Sequence, residues 1–158
     1  MIFASPYTIE DDVILARRVL RVTVPQLAEM VGLAFVKRGQ ISACESGPYP
    51  GLSCREADRV QRLAGILRKF MAGGVESVAP SLLHAVFRAP GGRPWSLLER
   101  IRSDSYIGLN EVDDLICEGR RRIAEREAVE QAMIRRHGPR STSWSACSPS
   151  EATLSPHA

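Results

Sequence analysis

The sequence predicts an all-α protein. Apolar residues recur at three- and four-residue spacing in several stretches, and a helix-starting residue precedes most of them. No stretch alternates apolar and polar residues convincingly enough to be a strand. The expected organisation is a compact bundle of short helices over residues 8–72, a helical region over residues 75–137 that contains one long helix, and a disordered tail over residues 138–158.

Thr8 and Asp11 form a capping box at the start of the first helix, and Glu10, Asp11 and Asp12 favour a helix N-terminus through the dipole. Val13, Ala16 or Arg17, Leu20 and the intervening Ile14 give that helix one apolar stripe to about Arg21, with Arg17, Arg18 and Arg21 toward its outer side. Thr23 caps a second helix, Pro25 sits in its first turn where a missing N–H costs nothing, and Gly32 suits the left-handed position just past its end. A third helical phase follows, with Val36, Ile41 and Cys44 or Glu45 on one side and Lys37, Arg38, Gln40 and Ala43 elsewhere. The loop Ser46–Gly51 holds two prolines and two glycines and ends it. Ser53 with Glu56 caps a longer helix, whose Ala57, Val60, Leu63, Ala64 and Leu67 repeat at helical spacing to about Met71, before Gly73–Gly74.

Beyond residue 75 the expected elements are a short helix within residues 80–88 starting at Pro80, a turn or hinge over residues 89–94, and a short helix from Trp95 to Ile101. Asn110 is expected to cap the long helix, with Asp113 and Asp114 in its first turn and Arg135 and Arg136 in its last. Its seam of Val112, Leu115, Ile116 and Ile123 thins after Glu125 to Val129, Met133 and Ile134, so that half is expected to be exposed or held by a partner. Gly138–Pro139 stops it. The Ser-, Thr- and Pro-rich remainder has too little apolar content to repay ordering.

The segment Thr23–Gly47, TVPQLAEMVGLAFVKRGQISACESG, carries the functional reading. Thr23, Leu27-Ala28, Gly32-Leu33, Ile41-Ser42, Glu45 and Gly47, with Pro50 in the following loop, resemble the helix-turn-helix of the Cro/repressor-like (XRE) family over about residues 10–70. Two positions depart from the family pattern: Val24 stands where a glutamine usually follows the threonine, and about three extra residues separate Gly32 from Ile41. The resemblance implies a compact helix-turn-helix bundle whose third helix enters the major groove of double-stranded DNA. Arg38, Gln40 and Ala43 would then meet base edges, and Lys37, Gln26, Arg17 and Arg18 phosphates. Arg38 suits guanine O6 and N7, and Gln40 adenine N6 and N7. Ser42 and Glu45 take structural roles at the helix in this reading.

Composition limits the alternatives. Hydrophobic residues at 44% suffice for a core, and 6% aromatic residues argue against a single-strand binder built on stacking platforms. Net charge is +3; residues 1–71 carry ten basic and seven acidic residues, residues 72–137 ten of each, so the excess lies in the first half. Cys44, Cys54, Cys117 and Cys147 form no CxxC pair and no zinc spacing, and buried or free thiols are the plainer reading. His84, His137 and His157 lie beside no nucleophile or paired carboxylates, so no enzyme and no cofactor is expected. The start MIFASPYTIEDD has no signal-peptide pattern, and the longest apolar run, Met30–Val36, falls far short of the ~20 residues a membrane span needs. A cytoplasmic protein follows.

The expected function is therefore a sequence-specific, repressor-like transcriptional regulator, binding as a homodimer because one helix buries too little to be specific. Residues 75–137 would supply the dimer interface or a site for a protein partner or effector; if the long helix mediates dimerisation, truncation after Gly108 gives a monomer, and an unchanged oligomer moves the interface into the N-terminal half. Arg55 and Arg59 widen the phosphate footprint or form a solvated face; Arg120, Arg121 and Arg122 are explained by ion pairs with Glu118, Glu125 and Glu127. The competing reading is a helical protein-binding module that keeps the helix-turn-helix as a scaffold.

Overall fold

A computed structural model of the chain describes residues 6–33, 53–88 and 91–138. Among them the fold is all-α, with no strand and one isolated antiparallel bridge, Phe87 to Trp95. The chain divides after Glu125, and the elements up to that residue share one core. The expected reading helix, with Lys37, Arg38, Gln40, Ser42, Ala43, Cys44 and Glu45, lies outside the described residues, as does the tail from residue 139.

Helix α1 (Ile9–Leu20) begins at the expected capping box: Thr8 Oγ1 accepts from Asp11 N–H at 3.2 Å and Asp11 Oδ2 from Thr8 N–H at 3.0 Å. Helix α2 (Val24–Met30) repeats the device with Thr23 and Gln26, whose Oε1 accepts from Thr23 N–H at 2.8 Å. It ends where expected. Gly32 adopts φ +70°, and Leu33 N–H reaches back to the Ala28 carbonyl at 2.9 Å. A side chain at Gly32 would be strained in that conformation.

Helix α3 (Cys54–Ala72) is capped by Ser53 and Glu56 and buries Val60, Leu63, Ala64, Ile66, Leu67 and Phe70. Its apolar repeat is long enough to present one face to α1, whose Val13, Ala16 and Leu20 are buried, and another to the elements that follow Gly73–Gly74. A 3-10 turn (Glu76–Val78) leads into helix α4 (Ala79–His84), with Pro80 in the first turn. Helix α5 is Leu97–Arg102 and helix α6 Leu109–His137.

Three expected boundaries need correction. The helix expected within residues 80–88 stops at His84, because Ala85 turns extended and Phe87 pairs with Trp95 through N–H···O bonds of 2.7 and 2.9 Å. Trp95 is for the same reason outside α5: its ring packs on Phe87 at 5.1 Å, and Ser96 caps the helix with Glu99. Asn110 does not cap α6. The helix begins at Leu109, and Gly108 N–H donates to Glu111 Oε2 at 2.8 Å, which puts Glu111 in the first turn and Asp113 and Asp114 beyond it.

The first half of α6 completes the core with Val112 and Leu115, and Gly119 is buried in its middle. A Cβ on Gly119 would stand 2.9 Å from Leu82 Cδ1 and 3.0 Å from Val75 Cβ, so the helix backbone lies against those two side chains. Residues 126–138 are exposed throughout.

Candidate nucleic-acid interface

Of the seven residues assigned to DNA contact, Gln26, Arg17 and Arg18 are described; Lys37, Arg38, Gln40 and Ala43 are not. Gln26 is exposed at the N-terminus of α2 with its Oε1 committed to Thr23, so its amide N–H₂ is what it can offer a phosphate. Arg18 is exposed on α1. Arg17 departs from its expected outer position: it is half-buried, and its Nε–H donates to the Val22 carbonyl at 3.4 Å, across the α1–α2 junction.

The most heavily engaged polar group of this region was not visible in the sequence. The last carbonyls of α2 and its turn face guanidinium donors. Arg102 donates from Nε to Met30 O at 2.9 Å and from Nη2 to Glu29 O at 3.0 Å. Arg59 Nη1 donates to Gly32 O at 3.2 Å and Val31 O at 3.5 Å. Helix C-termini carry partial negative charge on carbonyls that lack intrahelical partners, and cations satisfy both the charge and the hydrogen bonds.

Asp104 anchors this clamp from the other side. It sits just after α5 at φ +55°, a left-handed position that Asp tolerates better than most residues. Its Oδ1 accepts from Arg59 Nε at 2.8 Å and its Oδ2 from Arg59 Nη2 at 3.0 Å, and Arg55 Nε donates to the same carboxylate. Hydrogen bonding from Arg59, reinforced by Arg55, lowers the Asp104 pKa to about 2. Arg55 and Arg59 are one turn apart on α3, so a single carboxylate takes both. Both are thus ion-paired; Arg59 is largely buried by the contact, whereas Arg55 stays exposed, with 73% of its side chain in solvent.

Asp12 on α1 is fully buried and accepts from Arg68 Nη2, while its Oδ2 has no partner among the described residues. Burial raises its pKa against the opposing pull of Arg68, and Tyr7 stacks on the Arg68 guanidinium at 3.7 Å. On α6 the expected ion pairs are present: Glu118 takes Arg121 and Arg122 at 2.8 Å each, and Arg121 also reaches Glu125. No ion pair of Glu127 is seen among the described residues; Arg120 instead donates to the Gly73 carbonyl at 3.1 Å, at the end of α3.

Among the described residues no group of three or more His, Cys, Asp or Glu could hold a metal ion, and no helix is long and apolar enough to cross a membrane. Cys54 and Cys117 are free and exposed. Together these contacts fix α2 and its Gly32 turn on α1, α3 and α5, and so fix where residues 34–52 depart. Comparison with family models, with curated protein sequences and with solved structures gives no match to this chain.

Proposed function

We propose that the chain is a cytoplasmic, sequence-specific double-stranded DNA-binding regulator, repressor-like, that works as a homodimer. Arg38, Gln40 and Ala43 read base edges in the major groove; Lys37, Gln26, Arg17 and Arg18 hold phosphates. The observation that carries the reading is the α1–α2–turn unit. Thr23 caps α2, Leu27 and Ala28 are buried beneath it, and Gly32 turns left-handed at its end, at the motif positions that the Cro/repressor-like resemblance assigns to those roles. The guanidinium clamp on Glu29–Gly32 adds a reason for that turn to be rigid, which a reading helix needs in order to keep its angle to the groove.

The second reading, a protein-binding helical module, is favoured by the same clamp seen as charge. Arg55 and Arg59 are paired with Asp104, and the donors of Arg102 are committed to backbone carbonyls, which leaves fewer guanidinium donors for phosphates. Binding to duplex from the chain's own upstream region and to scrambled duplex, followed by anisotropy across a salt series, separates the two. The regulator reading requires a sequence preference that survives added salt, and losses of about 1–3 kcal/mol for Arg38→Ala and for Gln40→Ala. Equal, weak binding to both duplexes that disappears with salt is phosphate attraction alone and would sink it.

A further inference from the structure

A groove of about 430 Å³ opens between α3 and the chain that leads from Asp104 into α6. That volume lies in the range of small-ligand sites. Its base is apolar, with Ile66 and Val112 buried and Ile107 half-buried behind them. Gly65 leaves a gap in the α3 wall: a Cβ there would meet nothing within 4 Å. On the opposite lip two large side chains stand in solvent, Tyr106 at 83% and Leu109 at 64% exposure. Tyr106 is the most open of the large hydrophobic side chains among the described residues, and it adjoins the groove together with Leu109.

The charges around the groove are not equivalent. Asp104 is held by Arg55 and Arg59. Arg62 is paired with Asp58 at 2.8 Å and donates to Ser105 O at 3.4 Å. The Lys69 ammonium, two helical turns from Arg62 on the same face of α3, has no hydrogen bond or ion pair among the described residues. Among the described residues that line the groove, Lys69 is the cation with no hydrogen bond or ion pair, and it stands beside an apolar base and an aromatic lip.

We propose that this groove binds a small amphipathic carboxylate, its apolar body lying on Ile66, Ile107 and Val112 under Tyr106 and Leu109, and its carboxylate on Lys69. One free ammonium matches one monovalent anion; a phosphate dianion would want several donors, which the groove has already committed elsewhere. The inference concerns this groove alone and holds whether or not the chain binds DNA.

Decanoate is the probe, titrated into the full chain and followed by ¹H–¹⁵N correlation spectra and calorimetry. Saturable binding with a Kd of about 1 mM or tighter is expected, with shifts confined to residues 62–69 and 104–112. Decyltrimethylammonium, with the same tail and opposite charge, should bind at least about fivefold more weakly, and Lys69→Gln should weaken decanoate by a similar factor. Gly65→Leu fills the gap and should abolish binding while leaving the melting temperature unchanged or raised, which shows that the variant folds. Equal binding of both probes, decanoate binding that survives Gly65→Leu, or no saturable shift would overturn the proposal. So would an oligomer seen by light scattering that Gly65→Leu dissociates, since a second copy would then occupy the groove.

Discussion

Gly119 and Gly65 both lie inside continuous helices, in opposite physical surroundings. Gly119 lets the α6 backbone touch Val75 and Leu82, and a methyl group there would meet Val75 Cβ, close to the chain, rather than only the free end of a side chain. Gly65 faces open space. Helix propensity alone favours alanine over glycine by about 1 kcal/mol. Gly65→Ala is therefore expected to stabilise by ~0.5–1 kcal/mol. Gly119→Ala adds an overpacking cost of about 1–3 kcal/mol against the same gain and is expected to be net destabilising by ~1 kcal/mol. Urea midpoints of the two variants should move in opposite directions. A shared upward shift would show that α6 does not lie against Val75 as closely as described.

At the scale of elements, the starts of α1, α2 and α3 were legible because each is written within four residues. Thr8–Asp11, Thr23–Gln26 and Ser53–Glu56 pair as their spacing predicts, since a capping box is a local contact. The errors arose where a distant residue decided. Trp95 reads as a helix start until Phe87 takes its backbone, and Arg59 reads as part of a solvated face until Asp104, 45 residues beyond it, is brought against it. Arg102 reaches α2 across 72 residues, a separation at which no spacing rule operates. For the candidate site, Gln26, Arg17 and Arg18 were placed on the right helices, but Arg17's inward turn depends on the carbonyl of Val22 and has no signature of its own. The long helix was recognised with its thinning seam, but the truncation after Gly108 cuts in the wrong place, for it would strip Val112 and Leu115 from the core. Residues 126–138 are exposed, with Val129 at 60% and Met133 at 55% exposure. Ending the chain after Glu125 is expected to keep the circular dichroism spectrum of a folded helical protein, and, if the proposed dimer forms through residues 126–138, to give a monomer by light scattering. A dimer that survives this cut would place its interface within residues 1–125.

For the molecule as a whole, the folded state holds carboxylates perturbed in opposite directions, and their signs determine how stability responds to acid. Asp104 and Glu118 are both lowered to about 2, by hydrogen bonds from Arg59 and from Arg121 respectively. In the unfolded chain such groups titrate near 3.9 and 4.3. Their contribution is therefore fully present above the unfolded values and is lost as pH falls through about 4 to 2. Asp12 is raised by burial, so its sign is reversed: its ionised form costs stability, and that cost disappears as pH falls below its raised value. Asn is isosteric with Asp and tolerates the left-handed conformation at residue 104. Asp104→Asn is accordingly expected to be less stable than the parent at pH 7, with the two urea midpoints converging as pH is lowered from 5 to 2. Asp12→Asn should behave the other way, gaining on the parent as pH rises above about 4, because it removes a buried charge while keeping an acceptor for Arg68. If instead the Asp104→Asn midpoint stayed a constant interval below the parent down to pH 2, the Arg55–Arg59–Asp104 contact would be packing rather than charge. The clamp that fixes the α2 turn would then be insensitive to acid.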